Sequence, residues 1–297
     1  MFKHLLVPLD GSTMAEAALP VAAYLAQTLQ ARVTLIHVIE KSAPKDVHGE
    51  PHLHGAGEAS SYLEALRTSF AGSRTEWDYH VHAPGADNVA GTIVAHEAEL
   101  HPDLIIMCTH GPANLERLLR GSLAQQVVAL GRTPLLLVPP SATADETLDL
   151  RQILLPLDGT TRHEGGIGVT LDLAALTGSH LQLLAVVPAI ADLTGPAATL
   201  SRFLPGTSRT MQDLTLTNLR EYLEEVRTRA AAQGISVGIE LRQGDVAEGI
   251  SQAAVAVGAE MIVLNTHGKA GTQAFWANSV AARVLSKSDR LLLLVPA

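Results

Sequence analysis

LLVPLDGST, residues 5–13, returns as ILLPLDGTT, residues 153–161. In each copy an aliphatic run ends at Asp-Gly and is followed by Ser or Thr. That is how a buried strand passes through a tight turn into a capped helix. Two more stretches repeat in the same order: LIIMCTHG (104–111) as MIVLNTHG (261–268), and TPLLLVPP (133–140) as RLLLLVPA (290–297). Three strand-like anchors recurring at matching places mean two copies of one fold in a single chain.

Between the anchors each copy alternates strand-length aliphatic runs with segments of helical period, the pattern of a parallel sheet with right-handed crossovers. Strands are expected at 4–9, 32–39, 77–82, 103–108 and 134–138, and again at 152–157, 181–187, 235–241, 260–265 and 290–295. Helices are expected at 13–29, 58–71, 87–100 and 121–131, and at 163–177, 211–233, 246–257 and 278–287. The predicted domains are 1–140 and 151–297, separated by PPSATADETLDL (139–150), where two prolines and small polar residues end one sheet. The second copy is longer between its anchors, with the insertion expected around 190–211. The short aliphatic closing strands at 135–138 and 291–295 would expose unpaired edges, so they are expected to pair with each other.

Composition supports α/β. Hydrophobic residues make up 47% of the 297 positions and aromatics 3%, so the interior must be built from Val, Ile, Leu and Ala. The net charge of −9 with no block of Lys or Arg disfavours a nucleic-acid partner. The apolar run at the N-terminus is short for a signal peptide, and no segment reaches the roughly 18 uninterrupted apolar residues of a membrane span. A single cysteine, Cys108, excludes an intrachain disulfide. A cytoplasmic protein with no membrane contact is expected.

Ligands of open parallel sheets bind beyond the carboxyl ends of the strands, where the connections reverse direction. Asp10 and Asp158 follow such ends. So does CTHGPANLERLLRGS (108–122), whose glycines at 111 and 121 let backbone amides approach an anion while Ser122 adds a hydroxyl at the entry to a helix.

VPLDGS after the first strand, THG with nine residues before GS, and the closing LLLVPP strand together resemble the universal stress protein family in its tandem, two-domain form. The resemblance covers nearly the whole chain. It implies two doubly wound, five-stranded parallel sheets of order 3-2-1-4-5, the adenine nucleotide alpha hydrolase-like fold, and adenine nucleotide binding through Gly-x2-Gly-x9-Gly-Ser/Thr. Mapped by residue, Asp10 matches the family's aspartate at the adenine and ribose end, Cys108 stands in place of the first glycine, and Gly111, Gly121 and Ser122 match the rest. Pro8 and Val38, at the ends of the first two strands, complete this candidate ATP set. In the second half Asp158, Gly268 and Ser279 match, but Asn265 and Asn278 replace two glycines, so a weaker second site is expected there.

Each residue has a second reading. Asp10 could serve only to form the turn, and Ser122 only to cap a helix. Cys108 reads as a packed thiol without a CxxC partner. His110 and His267 read as orienting their loops rather than as bases. The loop HGEPHLHGAGE (48–58) has no counterpart in the second half. His48, His52 and His54 there could hold zinc, or the segment could be a solvated, lid-like loop.

The expected function is an ATP-binding stress-response regulator whose halves form an intrachain pseudo-dimer, with homodimerisation a further option. One alternative is a slow ATPase with Mg²⁺ bridging the phosphates, although no Walker-type Gly-Lys-Ser/Thr is present. Another is an interaction protein that has lost nucleotide binding and keeps a metal-binding histidine loop.

Overall fold

A computed structural model of the chain describes residues 2–41, 44, 46–70, 74–86, 88–109, 123–140, 148–160, 164–190, 195–266 and 279–296. It divides into two compact units, the first running to Asp149 and joined by the strand at Asp289–Pro296, the second beginning at Leu150.

In the first unit the strands are β1 (His4–Pro8), β2 (Arg32–Glu40), a short hairpin of β3 (Asp46–Val47) and β4 (Glu50–Pro51), β5 (Trp77–Ala86), β6 (Leu104–Cys108) and β7 (Leu135–Val138). Helices α1 (Thr13–Glu16), α2 (Ala18–Leu29), α3 (Ala56–Ser69), α4 (Val89–Leu100) and α5 (Leu123–Leu130) connect them. The main strands lie in the order β5-β2-β1-β6-β7 and are parallel throughout, which is the 3-2-1-4-5 order. β1 at the centre is buried at every position, as a strand covered on both faces must be.

The chain builds these elements for local reasons. In α2 the buried residues Ala18, Val21, Ala22, Leu25, Ala26 and Leu29 repeat at the helical period and face the sheet. The helix expected over 13–29 breaks at Ala17. Pro20 has no amide to donate to the carbonyl of residue 16, and its ring would crowd that carbonyl. β5 runs four residues past its expected end at 82, and the β3–β4 hairpin lies in a stretch where no strand was expected. Both central residues of that hairpin, His48 and Gly49, have positive φ (53° and 84°), as its two-residue turn requires.

The second unit carries β8 (Gln152–Pro156), α6 (Glu164–Thr177), β9 (His180–Val187), α7 (Gly195–Phe203), α8 (Pro205–Ala231), β10 (Val237–Gln243), α9 (Val246–Ala256), β11 (Met261–Thr266) and α10 (Val280–Leu285). Its parallel strands run β10-β9-β8-β11, the first four places of the same order. The insertion expected at 190–211 is helical: it supplies α7 and the first turns of α8, which begins with Pro205 at its start rather than at 211. The last strand, β12 (Leu291–Pro296), pairs antiparallel with β7, Leu293 opposite Leu136. The closing strands thus meet as their apolar edges demand, and both are buried.

Candidate functional site

The Asp10 turn is the first component. Asp10 Oδ1 accepts hydrogen bonds from the amide and hydroxyl of Ser12 at 2.9 and 2.6 Å, and Ser12 Oγ in turn accepts from Ala15 N at 3.2 Å to cap α1. Gly11 sits at φ +92°, where a side chain would be strained. One carboxylate oxygen therefore builds the turn. The other, Oδ2, lies 3.5 Å from Nε2 of His48.

A cleft of about 440 Å³ opens over the carboxyl ends of β1, β2 and β6. Pro8, Asp10, Val38 and Cys108 all line it, as do Val89 and Ile93 of α4 and Leu123 at the start of α5. This is the crevice beside β1 where connections leave in opposite directions, and its volume falls within the roughly 300–1,000 Å³ of small-molecule sites.

The histidine segment forms one wall. Its hairpin is tied to the Asp10 turn by the Glu50 carboxylate, which accepts from Thr13 N at 3.1 Å and Thr13 Oγ1 at 3.1 Å. Leu53 rests on Gly11 so closely that a Cβ there would lie 2.8 Å from the leucine. His48 and His52 line the cleft. Their nitrogens are committed separately: His48 to Asp10, and His52 with Nδ1 on Leu53 O at 3.0 Å and Nε2 facing Glu40 at 3.7 Å. His54 meets His52 ring to ring at 5.5 Å.

Two lining groups have unusual chemistry. His37, in the middle of aliphatic β2 and 1% exposed, donates from Nδ1 to Leu9 O at 2.8 Å, while its Nε2 has no partner among the described residues. Burial, then the neighbouring His52, holds it below the ordinary imidazole range against the opposing pull of Leu9 O and Asp10. A neutral ring must carry its proton on Nδ1 to satisfy that carbonyl, leaving Nε2 as a buried acceptor. Sequence reasoning passed over His37; a lone histidine in a run of Val, Leu and Ile was the available signal. Burial pushes the Cys108 thiol up to about 12, so it stays protonated at neutral pH and packs as an apolar group. Gly111, Gly121 and Ser122, with His110, lie outside the described residues.

The second unit repeats the turn and covers it differently. Asp158 Oδ1 accepts from Thr160 N at 3.0 Å and Thr160 Oγ1 at 2.8 Å, and Gly159 has φ +78°. Above Gly159 lies Leu219 of α8, 2.8 Å from where a Cβ would stand. Asn265, in the position of Cys108, fills the space left by Gly166, whose Cβ would come within 2.1 Å of its Oδ1. Ser279 caps α10, its hydroxyl accepting from Ala282 N at 3.1 Å. Gly268, His267 and Asn278 lie outside the described residues.

A second histidine group stands apart from the hairpin. His80 and His82 of β5 and His96 of α4 bring one ring nitrogen each within 4.8 Å of one another, and they are the set of metal-ligand type gathered this way among the described residues. An H-x-H alternation in a strand, with a histidine on the next helix, was the sequence signal.

Comparison with known proteins fits this geometry. The sequence profile of the universal stress protein family matches residues 1–139 and again residues 150–296. Universal stress protein MJ0531 of Methanocaldococcus jannaschii is 31% identical over 145 residues, 46% of this chain and 82% of that protein. Universal stress protein YxiE of Bacillus subtilis is 28% identical over 152 residues, 46% of this chain and 99% of its own. Among solved structures, a universal stress protein from Archaeoglobus fulgidus covers 99% of this chain and 96% of itself at a TM-score of 0.69 and 14% identity, a likeness of fold. Among the described residues no helix is long and apolar enough to cross a membrane.

Proposed function

Because this chain belongs to the universal stress protein family, we propose that it binds an adenine nucleotide, ATP foremost, in the cleft of its first unit and acts as a cytoplasmic stress-response regulator. The observation that carries the reading is convergence. Four candidate residues from separate elements, Pro8, Asp10, Val38 and Cys108, line one cleft of about 440 Å³ at the reversal point of the sheet. Aliphatic side chains of β2 and α4 offer apolar walls to a purine, and the partly exposed Asp10 carboxylate offers an acceptor to ribose hydroxyls. The buried acceptor of His37 would pair with an amine or hydroxyl donor of the ligand. Phosphates would extend toward the Gly111–Ser122 segment and the start of α5, since the N-terminal end of a helix favours an anion.

In the second unit a carboxamide at Asn265 and the α8 roof stand where the first unit has a thiol and a polar hairpin, so that half takes the supporting role in this reading. The deciding experiment is mass-spectrometric identification of the nucleotide that co-purifies with untreated protein, followed by calorimetric titration of the stripped protein with ATP, ADP and AMP. One equivalent of adenine nucleotide without phosphate release supports a binding regulator. Steady phosphate release lost in Asp10→Ala would replace it with the ATPase reading, and absence of any nucleotide binding would overturn both.

A further inference from the structure

We propose that His80, His82 and His96 form a zinc-class metal site at the outer edge of the first unit, separate from the nucleotide cleft and from the hairpin histidines. His80 and His82 stand two apart on β5 and so project to the same face; they pair with Ile36 and Val38 of the neighbouring strand. His96 comes down from α4 onto that face, one turn beyond Ile93. The rings of His80 and His96 meet edge to face at 4.7 Å, and those of His82 and His96 at 5.2 Å.

The pairing of nitrogens is that of a ligand set. His96 is 4% exposed, and its Nδ1 lies 2.8 Å from the Glu99 carboxylate. A carboxylate accepts only, so it holds the ring proton on Nδ1 and turns the lone pair of Nε2 inward. That lone pair lies 3.1 Å from Nδ1 of His82. Two nitrogens on a tetrahedral zinc, at bond lengths of about 2.0–2.1 Å, stand about 3.3–3.4 Å apart, so the metal-bound spacing is nearly present. His82 donates its Nδ1 proton to that lone pair in the metal-free protein; a metal takes the place of this hydrogen bond as the His82 proton moves to Nε2 and frees Nδ1. Three imidazoles, with no thiolate and one oriented by a carboxylate, suit zinc and leave a fourth position for water. β5 is the edge strand of its sheet, and His80 and His82 are half-buried, which gives the ion a way in.

The test is zinc titration of the full-length, untagged protein monitored by calorimetry, with Co²⁺ substitution read by visible absorption. The expected result is one equivalent of zinc at micromolar concentration and the intense bands of tetrahedral cobalt. His82→Gln and His96→Gln abolish both, and His52→Ala keeps both. Glu99→Gln, which leaves all three ligands, weakens zinc binding about 10–100-fold. Failure of the wild type to bind one equivalent overturns the site, as does unchanged binding in His82→Gln. Loss in His52→Ala with retention in His82→Gln would move the metal to the hairpin. Circular dichroism of each variant separates lost ligand from lost fold, and Glu99→Gln, on an exposed side chain, keeps the test open if His96→Gln does not fold. Nucleotide binding is measured on the same samples and is not required for any of these outcomes.

Discussion

Asp10-Gly11-Ser12 and Asp158-Gly159-Thr160 are the same turn built twice, down to the two hydrogen bonds on one carboxylate oxygen and the positive φ of the glycine. What covers them differs. Over the first lies a short polar hairpin whose Glu50 and His48 engage the turn, with Leu53 just after it touching Gly11. Over the second lies Leu219 from the 27-residue helix α8. Local turn chemistry therefore says little about whether a ligand can enter. The roof decides, and the two roofs come from the segments in which the repeats diverge.

The largest effect that would sharpen this contrast is on stability. Leu219→Ala removes a buried roof residue (8% exposed) and should cost about 2–4 kcal/mol. Leu53→Ala, at a half-buried position just after the hairpin, should cost about 1 kcal/mol. Denaturant unfolding of both measures the difference, and equal costs would mean that the two roofs are alike. Next in size is nucleotide affinity. Gly121→Val places a branched side chain where amides are proposed to meet phosphate, and the lost charge-assisted hydrogen bonding corresponds to about 1.5–3 kcal/mol, or roughly 10–100-fold. Ser279→Ala should leave ATP affinity unchanged by calorimetry, since that hydroxyl caps α10. The reverse outcome would assign the ligand to the second unit.

A smaller change is expected at the paired aspartates. Asp10→Ala should weaken ATP about tenfold through loss of one acceptor, and Asp158→Ala should not alter it, although each variant loosens its own turn. The smallest effect concerns acid. His4 and His37, both in the first unit, are held below the ordinary range mainly by burial, with Arg32 adding to the effect at His4. Their folded forms resist protonation while the unfolded chain takes protons up near pH 6.5, so their contribution is present above about pH 6.5 and is lost as pH falls below it. Hydrogen exchange at pH 5.5 against pH 7.5 should show the first unit loosening before the second. Uniform loosening would count against this.

Much of the fold is readable without coordinates because strand and helix periods are written twice, and an element seen in both halves is hard to misplace. The strand order itself came from the family resemblance rather than from periodicity. The missed features are those that depend on contacts across the chain. Pro20 sits in good helical company, and only its missing donor to residue 16 shows that the helix must break. The hairpin at 46–51 has no apolar alternation of its own and exists because the Asp10 turn gives Glu50 and Leu53 something to hold. For the candidate site, Pro8, Asp10, Val38 and Cys108, singled out from strand ends and a motif, line one cleft, whereas His37 was overlooked because a buried polar group is recognised only by its surroundings. The histidines at 48, 52 and 54 drew notice by density in sequence. Those at 80, 82 and 96 lie closer together in space because one strand period and one helical turn bring them there.

The pairing of β12 with β7 carries a consequence for how the molecule is made. Until β12 (Leu291–Pro296) emerges from the ribosome, the edge of β7, four buried aliphatic residues from Leu135 to Val138, has no antiparallel neighbour. At about 5–20 residues per second, synthesis of the intervening 150 or so residues takes roughly 8–30 s. Throughout that interval the nascent first half presents a sticky open strand edge to other nascent chains. Slow translation or a premature stop in the second half would therefore be felt first as aggregation of the first.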